Sequence, residues 1–274
     1  MRGVALWVLA SAMASVALAQ TPVVTPGGVV NAASFAPGQA VAPGSLVSIF
    51  GSELAAGLAQ ADSIPLSTSL GGVSVTFNNI PAPLIFVAPG QINVPAQINA
   101  QLPWNVLPAG QISGTVPVVV RRGNTASAPQ NVQVGPVSPG IFQFGGQAIA
   151  INATNGSLAA PAGSIEGIAT EPAAIGSAII ILGTGLGAVD GPIQSGHNPD
   201  ALRNTTTRPT VLIGGREADV LFSGLSPQFV GVNQLNVVVP EGVTPGVVPL
   251  QIRMGVPPIT TTDRVTIAVR PAGS

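Results

Sequence analysis

The single histidine is the first candidate for chemistry, because Ser-His-Asp hydrolases use histidine as their base. His197 lies in the turn-rich segment Gly196-His197-Asn198-Pro199-Asp200. The chain contains no Gly-x-Ser-x-Gly segment, which in many hydrolases holds the nucleophilic serine on a sharp turn. We therefore expect His197 to be a solvated loop residue, and we predict a protein that is not an enzyme and has no catalytic residue.

Carboxylates are the next candidates, and they are densest at Asp190, Asp200, Glu217 and Asp219. Calcium prefers several oxygen ligands, but the acidic spacing of a calcium-binding loop does not occur. Zinc usually takes several His or Cys ligands, and the chain has one His and no Cys. We expect these side chains to lie on the surface and predict no metal site. A carboxylate pair for glycoside hydrolysis stays open, although aromatic residues, which usually line such clefts, make up only 4% of the chain.

The glycine-rich run Gly183-Thr184-Gly185-Leu186-Gly187 looks like a phosphate-binding loop. It lacks the lysine of such loops and no βαβ unit follows it. A related run, Gly51-Ser52-Glu53-Leu54, occurs earlier in the chain. We therefore interpret both runs as turns at the ends of strands, and we predict no nucleotide and no other cofactor.

Trp104 is the best single candidate for contact with a ligand. It follows Pro103 in a loop, and Glu241 takes the corresponding place later in the chain. An exposed indole can stack on a sugar ring or anchor a protein partner. The interpretation that we favour is that Trp104 folds back and covers the end of the domain, as apolar loop residues commonly do.

The composition decides which elements could position these residues. The 274 residues include 34 Gly and 27 Pro, both of which break helices, and only 7% of the residues are charged while 46% are hydrophobic. This favours many short strands joined by turns. A net charge of −1 gives no basic field for nucleic acid, and the lack of Cys excludes disulfides.

The N-terminus is typical of a secretory signal peptide. Arg2 precedes an apolar run from Val4 to Leu18, and small residues stand at positions −3 and −1 of a cut after Ala19. We predict a signal peptide at 1–19, a leader at 20–26, and no membrane span in the remaining chain. The protein is then exported, to the periplasm, the cell surface or the medium. An uncleaved anchor is the alternative.

A repeated pattern organises the rest of the chain. The segment Gln97-Ile98-Asn99-Ala100-Gln101-Leu102-Pro103 returns as Gln234-Leu235-Asn236-Val237-Val238-Val239-Pro240, 137 positions later (234 − 97). Ser45 to Gly51 similarly returns as Ser177 to Gly183, 132 positions later (177 − 45). Offsets that vary by a few residues are expected when loops change in a duplicated β-domain. Within the first copy, Asn78-Asn79 predicts a hairpin with Ala82 to Val87 as its return strand.

The set of motifs resembles a known family. The sequence is similar to IPT/TIG immunoglobulin-like domains, and more closely to the Solibacter-type uncharacterised C-terminal domain of secreted bacterial proteins. The motifs that carry this resemblance are Asn31 to Phe35, Pro43 to Gly51, Ala82-Pro83-Leu84, Leu102-Pro103-Trp104, Gly183 to Gly187 and Gly231 to Asn236. The resemblance implies an exported module for binding, adhesion or architecture, with no catalytic residues to carry over.

We therefore predict an all-β protein of two tandem immunoglobulin-like sandwiches, the first at 27–142 and the second, with a connector, at 143–271. The predicted function is a non-enzymatic cell-surface or extracellular module for binding or adhesion, with a surface glycan or a protein as the candidate partner and Trp104 as the candidate contact residue. A purely structural spacer and a secreted carbohydrate-active enzyme remain as alternatives.

Overall fold

The computed structural model describes residues 20–262 and 264–273, so the predicted signal peptide at 1–19 lies outside the described residues. The strands of the first half are β1 (Val23–Asn31), β2 (Leu46–Ser52), β3 (Ala59–Gln60), β4 (Ser69–Leu70), β5 (Val73–Phe77), β6 (Ile80–Pro81), β7 (Leu84–Ala88), β8 (Ala96–Gln101), β9 (Gly114–Arg122), β10 (Thr125–Ala126) and β11 (Gln130–Val134).

The strands of the second half are β12 (Gly140–Ile141), β13 (Gln143–Phe144), β14 (Gln147–Ala148), β15 (Ala150–Asn152), β16 (Ala173–Ala174), β17 (Ala178–Thr184), β18 (Thr210–Ile213), β19 (Arg216–Leu225), β20 (Asn233–Val238), β21 (Gly246–Met254), β22 (Ile259–Thr260) and β23 (Thr266–Arg270). The predicted all-β, immunoglobulin-like sandwich class is confirmed. Within the described residues, no helix is long and apolar enough to cross a membrane.

The first half is a sandwich of two sheets. One sheet has the order β1-β2-β8-β7-β3, and the other has the order β10-β9-β5-β4, with β11 on β9 and β6 on β5. Alternation in β5 shows how the sheets meet, because Val73, Val75 and Phe77 are fully buried while Ser74 and Thr76 are partly exposed. Successive side chains of a strand point to opposite faces, so the apolar set faces the opposing sheet.

The second half folds around its own core, but its strands form one continuous sheet. The order is β12-β17-β20-β19-β18-β21-β23-β14-β13. The long strand β19 makes the continuity possible, since it pairs with β18 through Arg216 to Ala218 and with β20 from Asp219 onward. A register shift between Val220 and Phe222, a β-bulge, lies within its pairing with β20.

In the first half, the strand equivalent to β19 is interrupted at two prolines. This corrects the prediction that Ala82 to Val87 is the return strand of the hairpin. The Asn78-Asn79 hairpin forms, with φ of 51° and 62°, as expected for asparagine in a tight hairpin turn. Its return strand, however, is only β6, and the chain then crosses over as β7 to pair with β8 in the other sheet. Pro81 and Pro83 explain the break, because neither has an N–H to continue the ladder.

The segment predicted as a leader also differs from expectation. β1 begins at Val23 and pairs with β2 as the edge strand of its sheet, and Val24 is buried. The register shifts between Val24 and Val29, where Pro26 and two glycines interrupt the ladder. A proline at a bulge on an edge strand is tolerated, so this Pro-bearing segment belongs to the sandwich.

The two Gln-apolar-Asn segments occupy equivalent places. β8 lies between β2 and β7, and β20 lies between β17 and β19. In β8 the Gln97 side-chain amide donates to Asn99 Oδ1 at 2.8 Å, and in β20 Gln234 donates to Asn236 Oδ1 at 2.9 Å. The motif therefore makes the same side-chain hydrogen bond in both halves, which is a structural role.

The turns that precede β2 and β17 also match. The Ser45 hydroxyl donates to the Ala42 carbonyl at 2.6 Å, and the Ser177 hydroxyl donates to the Ala174 carbonyl at 2.7 Å. Each of these serines accepts, through its own carbonyl, a backbone hydrogen bond of 2.9 Å from the residue before the strand-ending proline, Leu102 or Val239. These matched bonds are what a duplicated domain predicts; the domain boundary at 142/143 stays a prediction.

Candidate functional site

The two halves meet through buried polar groups at the ends of their strands. Thr184, the last residue of β17, accepts a hydrogen bond from the Leu46 backbone N–H at 2.9 Å and donates to the Gly231 carbonyl at 2.7 Å. Thr184 is fully buried. Its hydroxyl therefore connects β2 of the first half to β17 and to the loop before β20 in the second half without an unpaired group, as a buried polar side chain requires.

The glycine-rich run after β17 packs against the chain that joins the halves. Asn31 donates through Nδ2 to the Ser138 carbonyl at 2.7 Å. A Cβ on Gly185 would overlap that same carbonyl oxygen, and one on Gly187 would lie 2.5 Å from the carbonyl oxygen of Pro136. Both glycines have φ of +84°, a conformation that other residues rarely adopt. The run is thus a strand-end turn shaped by close backbone approach.

A long loop follows this run, and its stem is held by paired bonds. Val189 and Thr205 form a β-bridge, and the Asp190 carboxylate accepts from Asn204 through the backbone N–H at 2.6 Å and through Nδ2 at 2.9 Å. The Asn204 side-chain amide, with help from its backbone N–H and from Arg203, lowers the pKa of Asp190 below its ordinary value. The residues 189–205 are called the 189–205 loop below.

The interior of the 189–205 loop is braced by one arginine. Arg203 pairs with Asp200 at 2.5 Å and donates through Nε to the Pro192 carbonyl at 3.1 Å. Its guanidinium therefore spans the two arms of the loop, which gives the tip a defined shape.

The tip of the 189–205 loop reaches the first half. The Gly196 N–H donates to Gln101 Oε1 at 2.6 Å, and the Gly196 carbonyl accepts from the Leu66 N–H at 2.8 Å. Gln101 in turn donates through Nε2 to the Gly44 carbonyl at 3.1 Å. Gly196 and Gln101 are both buried, so this contact lies inside the protein.

Trp104 lies beside this contact and is half-buried. Its backbone N–H donates to the Ser195 hydroxyl at 3.1 Å, and its indole covers Gly44, where a Cβ would overlap the ring carbons. Among the described residues, no hydrogen-bond partner reaches the buried indole Nε1. Trp104 thus folds back on the turn before β2, yet it also lines a cavity of about 430 Å³.

That cavity, named the Trp104 cavity below, joins both halves. The first half contributes the loop after β8, including Leu107 and Ile112, the chain that joins the halves contributes Pro136, and the second half contributes Ala188. Among the described residues, no charged side chain is part of its lining, whose polar side chains are the amides of Asn105 and Gln111 together with the Trp104 indole. An apolar cavity with a few amides is a common composition for a binding site of a neutral ligand.

His197 does not form a hydrolase triad. Its Nδ1 lies 3.2 Å from the Ser195 carbonyl oxygen, while the Ser195 hydroxyl is engaged by Trp104. His197 shares a separate cavity of about 310 Å³ with Asp200, but that carboxylate pairs with Arg203. Among the described residues, His197 makes no hydrogen bond to the Ser195 hydroxyl, which it would have to contact in order to activate that group as a nucleophile.

The predicted carboxylate group is divided between two elements. Asp190 and Asp200 belong to the 189–205 loop, whereas Glu217 and Asp219 are exposed on β19, where Asp219 lies 3.9 Å from Arg208. Across the part of the chain that the structure describes, no group of three or more His, Asp or Glu side chains is arranged to hold a metal.

A second apolar cavity opens at the junction of the halves. It measures about 520 Å³ and is lined by Leu46, Ile64 and Ile85 of the first half and by Phe229 and Val232 of the second. Ile64 and Phe229 are each about half exposed, at 52% and 51%. This cavity was not foreseen, because its two walls lie more than 140 residues apart in the sequence (229 − 85 = 144).

Gln101 is the junction residue that sequence reasoning missed. The alternation of β8 places it on the outer face, where a polar residue needs no explanation. It is nevertheless only 1% exposed, because the tip of the 189–205 loop covers it. The signal in the sequence was a difference between the two copies, because the position that corresponds to Gln101 in the second copy is the apolar residue Val238.

The fold and the site define an immunoglobulin-like module whose two halves share one junction. Residues 29–134 match the family model of the IPT/TIG domain, which lies entirely within the first half. No curated protein sequence matches the chain.

Several solved structures resemble the chain at low identity. Domains 4–9 of the surface layer protein SbsC are 12% identical with a TM-score of 0.26, and the match covers 92% of this chain. This chain spans 32% of the length of that structure. Domains 5–6 of the S-layer protein SbsC are 14% identical with a TM-score of 0.27, covering 93% of this chain and 100% of theirs. The C-terminal domain of the Streptococcus agalactiae AgI/II polypeptide BspA is 10% identical with a TM-score of 0.21, covering 85% and 95%.

Proposed function

We propose that this chain is an exported, non-enzymatic, immunoglobulin-like surface module that binds a neutral partner through the Trp104 cavity. The partner is a surface glycan or an uncharged segment of a protein. We also propose that the two halves are copies of one domain, divided near residue 142. We further propose that the chain is related to the Solibacter-type uncharacterised C-terminal domain that its sequence motifs resemble.

The single observation that supports binding is the composition of the Trp104 cavity. A half-buried indole and two side-chain amides line a cavity of about 430 Å³ that contains no charged side chain. Aromatic rings supply a flat apolar face for a sugar or a side chain, and amides supply directional hydrogen bonds. A charged ligand would find no counter-ion there, so a neutral ligand fits best.

The binding proposal is tested by screening the full-length chain on a glycan array and in pull-downs from cell surfaces. For any partner found, we expect Trp104→Ala to weaken binding at least tenfold, because loss of an anchoring aromatic residue costs about 2 kcal/mol or more. Trp104→Phe keeps a ring and should retain most of the affinity. Equal binding by the wild type and Trp104→Ala would contradict the proposal.

Export is tested independently of binding. The full-length chain is expressed with its own N-terminus in a Gram-negative host, and the N-terminal residue of the product outside the cytoplasm is determined. Cleavage after Ala19 leaves Gln20 as the first residue, and Ala19→Arg should block it because the processing site needs a small side chain at −1. A product that keeps residues 1–19 and stays in the cytoplasm would contradict export.

A rigid structural spacer is the second candidate. It is supported by the buried side chains of Thr184 and Gln101, whose hydrogen bonds connect the halves, and of Asn31, which donates to the chain that joins them. A spacer needs a fixed angle between its parts rather than a ligand. It is the better account if the screen finds no partner that depends on Trp104.

A further inference from the structure

We infer that the 189–205 loop is a strap that holds the two sandwiches as one rigid, cooperatively unfolding body. The strap leaves the second half after β17 and inserts Ser195 and Gly196 against the first half. This inference goes beyond the binding proposal, since it concerns the motion of the halves and needs no ligand.

The strap is built to keep its shape before it touches the first half. Its stem is closed by the Asp190–Asn204 pair, and Arg203 connects its two arms through Asp200 and the Pro192 carbonyl. A loop ordered by its own bonds loses less conformational entropy on docking than a free loop. The tip therefore meets the first half in a prepared conformation.

The tip of the strap fits closely against the first half at Gly196, which makes the contact specific. Gly196 has φ of +82°, and a Cβ there would lie 3.2 Å from both the Leu66 carbonyl oxygen and Pro83 Cγ. Its N–H and carbonyl are both paired, to Gln101 and to Leu66, in the interior of the junction. Moving the halves apart would break these bonds, and each buried group left unpaired would oppose the motion.

The absence of cysteine allows a direct test. Spin labels are placed on cysteines introduced at Asn124 of the first half and Glu217 of the second, both exposed. In the full chain we expect one narrow distance distribution and one thermal transition seen by every probe. Gly196→Val should broaden the distribution and lower Tm by about 10 °C, because strain at this positive φ is added to a collision of the valine side chain with the first half.

Gly163→Val is the matched control. Gly163 also has positive φ, at +68°, but a Cβ there meets nothing within 4 Å. It should lower Tm by only about 3 °C and leave the distance distribution unchanged. The strap is refuted if Gly196→Val gives the same narrow distribution as the control.

A second pair of variants applies if Gly196→Val does not fold. Gln101→Leu removes the acceptor of the Gly196 N–H, whereas Gln251→Leu removes a single bond, to the Thr261 carbonyl, within the second half. Broadening with Gln101→Leu alone supports the strap. Narrow distributions in both variants overturn it.

Discussion

Replacing Phe77 with alanine is expected to lower the free energy of unfolding by about 3–5 kcal/mol, the usual cost of removing a buried phenylalanine side chain. Phe77 is the largest fully buried side chain of the first sandwich, with 0% exposure at the end of β5. The Tm should fall by about 6–20 °C in scanning calorimetry, at about 2–4 °C per kcal/mol for a protein of this size. If the halves form one body, a single transition shifts as a whole.

Phe144→Ala is the control, because it removes the same side chain at a position that is 63% exposed. Surface substitutions of this kind change stability by about 0.5 kcal/mol or less. Similar losses in the two variants would show that Phe77 is not in the core. Two separate transitions in Phe77→Ala would instead show that the first sandwich unfolds alone.

Replacing Gly44 with alanine should lower the free energy of unfolding by about 3 kcal/mol and change the environment of Trp104. The φ of Gly44 is +76°, and its Cβ would overlap the indole carbons Cζ2, Cε2 and Cη2. The left-handed conformation costs an L-residue about 1–2 kcal/mol, and forcing extra volume into a packed site adds about 1–3 kcal/mol. The indole must then move toward water.

Tryptophan fluorescence reads this movement directly, since the chain has no tyrosine and only Trp7 and Trp104. We expect emission from Gly44→Ala at longer wavelength than in the wild type. Gly110→Ala is the control, because Gly110 has φ of +84° with nothing within 4 Å of its Cβ. A red shift that is the same in both variants, or absent from Gly44→Ala, would mean that the indole does not rest on Gly44.

Local sequence patterns predicted the strands and turns that depend on neighbouring residues. The alternation of Val73, Val75 and Phe77 predicted a half-buried strand, and Asn78-Asn79 predicted its hairpin. These outcomes follow from period-two burial and turn chemistry, which act over a few residues.

Predictions that needed knowledge of distant partners were less accurate. The leader proved to be the edge strand β1, because a strand with a bulge at Pro26 resembles a linker when its partner β2 is unknown. The return strand after Asn79 crossed to the other sheet, because Pro81 and Pro83 stop one ladder without indicating which strand comes next.

The sequence by itself determined the all-β class and the turn at Asn78-Asn79, because strand alternation and turn chemistry depend on neighbouring residues. Only the tertiary structure decided that Gln101 is buried and that Trp104 meets Ser195. Those contacts join residues about 90 positions apart, and the side-chain period of a strand says which face a residue occupies but not what covers that face.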